Sequence, residues 1–253
     1  MASGENPYER PEFVARYVRS RPKPPSDLLT LLCQLCGRET PDLVVDLGSG
    51  TGYSTVAWSR RARRVVGIES NPVMLRRARR ALHVEYRLAS ADRTGLPSGS
   101  ADVVTCSQSF HWMNPATTIP EIARILRRGG VFAAYDYALP PLIDPQLDPS
   151  FVELMRWAHL PTQPKEKARH PASLAQSRRF RWVGEISLHH SDVGDLQRAL
   201  DLPLSIAHVA ARLDEGAESP ERVWRRFRAV AERTFGTGRR RFWWTYDVNL
   251  AVK

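Results

Sequence analysis

A short apolar run, Val44-Val-Asp-Leu47, leads into Gly48-Ser49-Gly50-Thr51-Gly52. An acid, Glu69, closes the next apolar run, nineteen residues after Gly50. Glycines at alternate positions allow positive φ and let a ligand approach the main chain closely. A helix starting behind such a turn offers unpaired N–H groups. An acid at the end of the following strand can accept both hydroxyls of a ribose. Two ligand classes use this layout. The dinucleotide fingerprint needs a glycine five residues after the first, and here that position is Tyr53. Asp46 at the strand end would repel phosphate oxygens and suits a cationic amine. The pattern points to a nucleoside that carries an amino acid.

These residues need a scaffold. Ser26–Arg38 has helical spacing, with Ser26 as its cap and Gly37 as a stop signal. Strands are expected at 42–47, 64–69, 84–88, 101–107 and 131–135, with helices at 53–61, 72–82 and 119–127 between them. Such alternation implies a parallel sheet with helices on both faces and its ligand edge at the strand C-termini. Beyond Tyr137 the pattern breaks. Residues 138–179 are rich in Pro and hold a basic stretch and a helix near 149–159, which reads as an insertion over that edge. A sixth strand is expected at 181–189. Helices follow at 192–213, broken near Pro203, and at 219–234, and a last strand at 241–252.

In this order, VVDLGSGTGYST at 44–55, IESNPVMLRRAR at 68–79, ASADRTGLPSGSADVV at 89–104, SQSFHWM at 107–113 and EIARILRRGGVFAAY at 121–135 resemble a class I S-adenosylmethionine-dependent methyltransferase of the type 11 group, which methylates small molecules. SFHWM resembles the subgroup that includes trans-aconitate-type enzymes. The resemblance implies an α/β, Rossmann-like seven-stranded sheet with the last strand antiparallel. It implies a single domain over 1–253: an N-terminal lead and helix (1–40), a cofactor-binding core (41–137), a substrate-covering insertion (138–179), and C-terminal helices and strands that complete the sheet (180–253).

It also implies roles. Asp46 would hold the methionyl ammonium, directly or through water. Gly48, Ser49, Gly50 and Gly52 would lie beside the methionyl and ribose parts, and Glu69 would bind the ribose hydroxyls. Ser70 and Met74 would border the adenine, and Asp92, with Ala91 beside it, would accept from its amino group. Ser107 would offer backbone contacts. Tyr17, Arg21 and Pro22 resemble an N-terminal signature in which Arg21 pairs with the methionyl carboxylate. The product would be S-adenosylhomocysteine.

His111, on the loop leaving the fourth strand, has two readings: a base that takes a proton from the acceptor, or a wall of the pocket. In-line displacement at a sulfonium needs no base when the nucleophile is already anionic, and orientation then carries the catalysis.

Composition bounds the rest. The net charge is +10, and only four of the 37 basic residues are lysines. Such a balance suits a nucleic-acid methyltransferase, but the arginines fall in scattered clusters. The segment after the fourth strand, Ser107-Gln-Ser-Phe-His111, also lacks the Asn/Asp-Pro-Pro-aromatic turn of enzymes that methylate base amino groups. Nucleic acid is therefore the alternative partner and a small molecule the expected one. A protein that binds the cofactor without transferring methyl groups is a third reading. Cys33 and Cys36 form a C-x-x-C pair inside an apolar helical run and are read as core residues, so no metal is expected. No apolar run reaches membrane-spanning length, and the first residues lack a signal-peptide layout, which points to a cytoplasmic protein. His189-His190 and Trp243-Trp244 are read as packing residues.

Overall fold

The computed structural model describes residues 8, 10–160, 170–214 and 220–253. The basic stretch of the insertion, at 161–169, and most of the N-terminal lead before Pro11 lie outside the described residues.

Seven strands form one sheet: β1 (Val44–Leu47), β2 (Val65–Glu69), β3 (Val84–Leu88), β4 (Ala101–Ser107), β5 (Leu126–Tyr137), β6 (Trp182–Gly194) and β7 (Arg240–Val252). Their order is β3-β2-β1-β4-β5-β7-β6. Strands β1 to β5 are parallel. Strand β7 runs antiparallel to β5, from Val131 opposite Val252 to Tyr137 opposite Tyr246. This is the sheet expected from the sequence. The chain steps outward from β1 to β2 and β3, then returns to the other side of β1 with β4. That reversal opens a crevice at the carboxyl ends of β1 and β4.

Nine helices accompany the strands among the described residues: α1 (Pro11–Ser20), α2 (Ser26–Leu35), α3 (Pro72–Arg76), α4 (Pro115–Ile125), α5 (Asp148–Trp157), α6 (His170–Gln176), α7 (Leu196–Leu204), α8 (Ala207–Asp214) and α9 (Pro220–Phe235). Two of the expected helices are cut short. The segment after the glycine loop forms only a 3-10 turn, Thr55–Trp58. The side chains of Ser54 and Thr55 donate to Asp46, and this side-chain bonding competes with a regular helix. Helix α3 stops at Arg76 instead of continuing to Leu82. Four arginines between 76 and 80 repel one another there. The Arg79 N–H also donates to the Thr51 carbonyl, which draws the chain off the helical path. Helix α4 begins four residues earlier than expected because Asn114 caps it, its Oδ1 accepting from the Ala116 N–H at 3.0 Å. The Gly129-Gly130 pair lies within β5, after a register shift between Ala101 and Val103 of the neighbouring strand.

The chain divides into two compact units. One holds the described residues of 23–137, 163–188 and 246–253. Its core is aliphatic: Val45, Leu47, Val66, Ile68, Val104, Ile122, Ile125, Phe132 and their neighbours are almost wholly buried. Burying each such side chain contributes about 1.5–3 kcal/mol. The other unit is gathered from the described residues of 1–22, 138–162 and 189–245. It packs rings: Phe151 on Phe227 at 5.3 Å, Phe235 on Phe242 at 6.1 Å, and Phe242 stacked on Trp244 at 6.2 Å. Strands β6 and β7 contribute residues to both units.

Candidate active site

The glycine loop begins where β1 ends. Gly48, Gly50 and Gly52 all have positive φ, +66°, +55° and +74°. The three are required for different reasons. A Cβ on Gly52 would fall 2.0 Å from the Tyr86 hydroxyl, and one on Gly48 would fall 2.6 Å from Ser109 Cβ. At Gly50 the nearest atom is the flexible Met74 methyl, at 3.3 Å. Gly48 and Gly52 are thus filled by the protein itself, while Gly50 keeps an accessible backbone face.

The loop N–H groups are engaged internally. Gly48 and Ser49 donate to the Ile68 carbonyl at 2.8 and 3.0 Å, and Gly52 donates to the Ser49 carbonyl at 2.8 Å. Gly50 donates to Glu69 Oε2 at 2.7 Å. The other Glu69 oxygen accepts from the Asn71 N–H at 2.8 Å. Glu69 is half-buried at the end of β2, and each oxygen keeps a free lone pair. The Ser49 hydroxyl is buried without a hydrogen-bond partner.

Asp46 sits deeper. It is 1% exposed, and its Oδ2 accepts from Ser54 and Thr55, both at 2.7 Å, while its Oδ1 accepts from Thr105 at 2.8 Å. Burial pushes its carboxyl above the usual carboxylate range, and the three hydroxyls oppose that push. The side chain ties β1, β4 and the turn behind the loop together.

Met74 is buried in the first turns of α3, where Asn71 Oδ1 accepts from the Val73 N–H at 2.8 Å. Ser70 is exposed beside it. Ala91 is half-buried and Asp92 exposed just after β3. The Ser90 hydroxyl donates to Asp92 at 2.5 Å and holds its carboxyl below the usual range.

Ser107 ends β4, and the chain then turns through Phe110–Trp112 as a 3-10 turn. This places His111 at the carboxyl edge of β4. Its Nδ1 is buried, 3.6 Å from Asp136 Oδ1 at the end of β5. The Gln108 amide, turned to match its neighbours, donates to the same Asp136 oxygen at 3.2 Å. Trp112, next to His111, is 74% exposed. Ser49, Glu69, Met74, Asp92, Ser107 and His111 therefore follow the carboxyl ends of β1 to β4 on one unit. Tyr17 and Arg21 belong to the other unit. There the Arg21 guanidinium lies 4.8 Å over the Tyr17 ring and donates to the Ser205 carbonyl at 2.7 Å.

Several participants escaped the sequence reading. Tyr86 presses on Gly52 and Gly67 and donates to the Arg79 carbonyl at 2.7 Å. Burial pushes its phenol up to about 12. Ser109 donates to the Leu47 carbonyl at 2.8 Å, joining the β4 loop to β1. Asp136 faces His111. The hydroxyls at 54 and 55 carried a local signal, an S-T pair directly after a glycine turn. Tyr86 and Asp136 carried none, because each meets its partner only through sheet pairing.

Residues 45–134 match the family model described as a methyltransferase domain. Over 123 residues the chain is 34% identical to a Dictyostelium discoideum protein provisionally named a methyltransferase, covering 49% of this chain and 46% of that protein. It is 27% identical to the trans-aconitate 2-methyltransferase of Afipia carboxidovorans, over 91% of this chain and 80% of that one. A solved structure from Anaeromyxobacter dehalogenans, provisionally described as a type II methyltransferase, superposes with a TM-score of 0.73 at 23% identity, covering 92% of this chain and 97% of that chain. The chain spans about half the length of the Dictyostelium relative, so residues 45–134 carry the assignment. Through these residues, with their sheet order and glycine loop, the segment 45–134 is similar to the methyltransferase domains of class I S-adenosylmethionine-dependent enzymes.

Proposed function

We propose that the chain transfers a methyl group from S-adenosylmethionine to a small-molecule acceptor by in-line displacement. The observation that carries this reading is Glu69, which holds the Gly50 and Asn71 N–H groups while keeping lone pairs for a diol beside the open face of Gly50. The loop fits a nucleoside better than a pyrophosphate. Its N–H groups at 48, 49, 50 and 52 are all taken by protein acceptors, and the carboxylates of Asp46 and Glu69 stand nearby. The partnerless Ser49 hydroxyl adds a buried polar atom to the same loop.

When bound, the cofactor supplies an electrophilic methyl on a sulfonium. The residues of the chain do the rest. Glu69 would orient the ribose, Met74 would border the adenine with Ser70, and Asp92 and Ala91 would meet its amino edge. Asp46 would act on the ammonium through water, since its own oxygens already hold three hydroxyls. Ser107 would add backbone contacts. His111, steadied by Asp136, would position the acceptor or take its proton.

Among the described residues no helix is long and apolar enough to cross a membrane. The three buried free thiols suit a reducing compartment, which supports a cytoplasmic location. Relatives named trans-aconitate 2-methyltransferase make carboxylic acids the first acceptors to try.

Calorimetry with S-adenosylmethionine should show one site of micromolar affinity, about −8 kcal/mol. Glu69→Ala should weaken it by about 1.5–3 kcal/mol per lost bond, with the fold retained by circular dichroism. No heat and no thermal shift at saturating cofactor would sink the assignment. Release of S-adenosylhomocysteine with a panel of acids, alcohols and amines identifies the acceptor. If His111 is the base, His111→Ala lowers turnover about 10²–10⁴-fold with cofactor affinity intact, whereas a pocket wall tolerates His111→Gln.

A further inference from the structure

Trp243 and Trp244 are neighbours on β7 and meet opposite fates. Trp244 is 1% exposed, and its indole N–H donates to Asp192 at 3.0 Å. Trp243 is 53% exposed. Leu142, 67% exposed, is paired with it through two backbone hydrogen bonds of 3.0 and 2.8 Å. The same strand face continues through Arg241 and Thr245. Their contacts to β6, Arg241 to the Ser191 hydroxyl at 3.1 Å and Thr245 to His189 at 3.2 Å, put those β6 residues on that face as well.

The basic end of this face makes no ion pair among the described residues; the acid on the same face, Asp247, accepts from Ser187 at 3.2 Å on the far side of Thr245. Arg239 and Arg241 are exposed, and their side-chain hydrogen bonds go to the Val193 carbonyl and the Ser191 hydroxyl, both neutral; Arg240, also exposed, alternates to the opposite face and donates to the Arg239 carbonyl. Elsewhere in the same unit arginines meet carboxylates: Arg198 meets Asp192 at 2.7 Å and Arg19 meets Asp201 at 2.8 Å. Two arginines without an ion-pair partner among the described residues, beside an indole that the fold leaves open, fit a ligand that presents both phosphates and flat rings.

We propose that this face of β6 and β7 binds single-stranded nucleic acid, with Trp243 as a stacking surface for a base and Arg239 and Arg241 as contacts to the phosphate backbone. A second copy of the chain is disfavoured, because two such faces would bring arginine pairs together. A membrane surface is disfavoured too. The larger apolar residues of the basic helix α9 are turned inward, Phe227 and Phe235 buried and Trp224 half-buried, which leaves little to insert. The proposal concerns binding and is independent of which acceptor is methylated.

The test uses the full chain and fluorescently labelled U15 and dT15, read by anisotropy and by tryptophan quenching over a salt series. Binding should weaken steeply with salt. Trp243→Ala should lower affinity roughly tenfold and remove the quenching, and Trp243→Phe should recover most of the loss. The pair Arg239→Ala with Arg241→Ala should reduce the salt slope by about 1.4, at about 0.7 per contact on a single strand. A tighter U15 or dT15 complex identifies RNA or DNA as the source of the strand. The proposal fails if neither oligonucleotide binds at 50 mM salt, or if both variants bind like the parent. It also fails if Arg222→Ala with Arg233→Ala on α9 has the same effect as the β7 pair, or if phosphatidylserine vesicles are bound and oligonucleotides are not.

Discussion

The two units of the molecule are held by different chemistry. In the unit of β1 to β5 the buried side chains are chiefly Val, Leu, Ile and Ala, placed by strand alternation and short crossovers. In the other unit aromatic rings and arginines share the interior. Arg198 lies 4.7 Å over Phe242 and 5.8 Å from the Trp244 ring, and its guanidinium is anchored by Asp192. Aliphatic packing is forgiving, because a buried methyl has no directional partner to lose. The arginine–aromatic arrangement is directional, and the loss of one member leaves a polar group stranded.

The largest expected effect tests whether the first unit is equally directional at its most crowded glycine. Gly52→Ala combines a φ of +74° with a Cβ driven onto the Tyr86 hydroxyl, and should cost about 3–5 kcal/mol in chemical denaturation. Adding Tyr86→Ala should return part of the loss. Equal stability of parent and Gly52→Ala would show that Tyr86 yields without cost. Next is Asp192→Ala, which strands Arg198 and the Trp244 indole N–H in the other unit. A loss of about 2–3 kcal/mol is expected, with new proteolytic cuts within 189–214 and cofactor affinity within twofold of the parent. A parallel fall in cofactor affinity would break the contrast between the units.

The smallest effect depends on pH. Glu121 on α4 accepts from Arg124 at 2.7 and 2.8 Å and from the Thr94 N–H and hydroxyl at 2.9 and 2.6 Å. These bonds, the Arg124 bonds first, lower its carboxyl to about 2. A depressed carboxylate stabilises the fold above its unfolded pKa, near 4.5, and loses that contribution as pH falls toward 2. The parent should lose about 2 kcal/mol between pH 5 and pH 2 that Glu121→Gln does not lose. Identical acid-denaturation curves would remove Glu121 from the account.

What the sequence made legible follows the same division. The strands of the first unit could be read from β-branched runs, and β4 was located to the residue. The glycine loop and Glu69 could be read from spacing, because their geometry is local to one strand–turn–strand passage. The shortened helices after Gly52 and Arg76 could not. Their ends are set by Asp46, Thr51 and Tyr86, residues of other elements whose approach no local window reveals. In the second unit the helix positions were legible near Pro203, where α7 gives way to α8 after Leu204. The pairing of Arg198 with Asp192 and Trp244 spans up to 52 residues and had no local mark. Asp136 behind His111 belongs with these: the loop showed the histidine, and only the pairing of β4 with β5 brought the acid to it.

The antiparallel match of β5 with β7 has a consequence for how the chain is made. The partner of Val131 is Val252, so β5 has one side of its backbone open until more than a hundred further residues have left the ribosome. During that interval Val131–Tyr137, buried throughout in the finished sheet, is an open strand edge, apolar up to Tyr135. Such an edge is a template for pairing with another nascent chain. The slowest and most aggregation-exposed stage of folding is therefore expected at the arrival of β7, when a long loop must close before its strand pairing contributes any stability. Solubility on expression should accordingly depend more on Tyr246–Val252 than on a segment of equal length at the glycine loop.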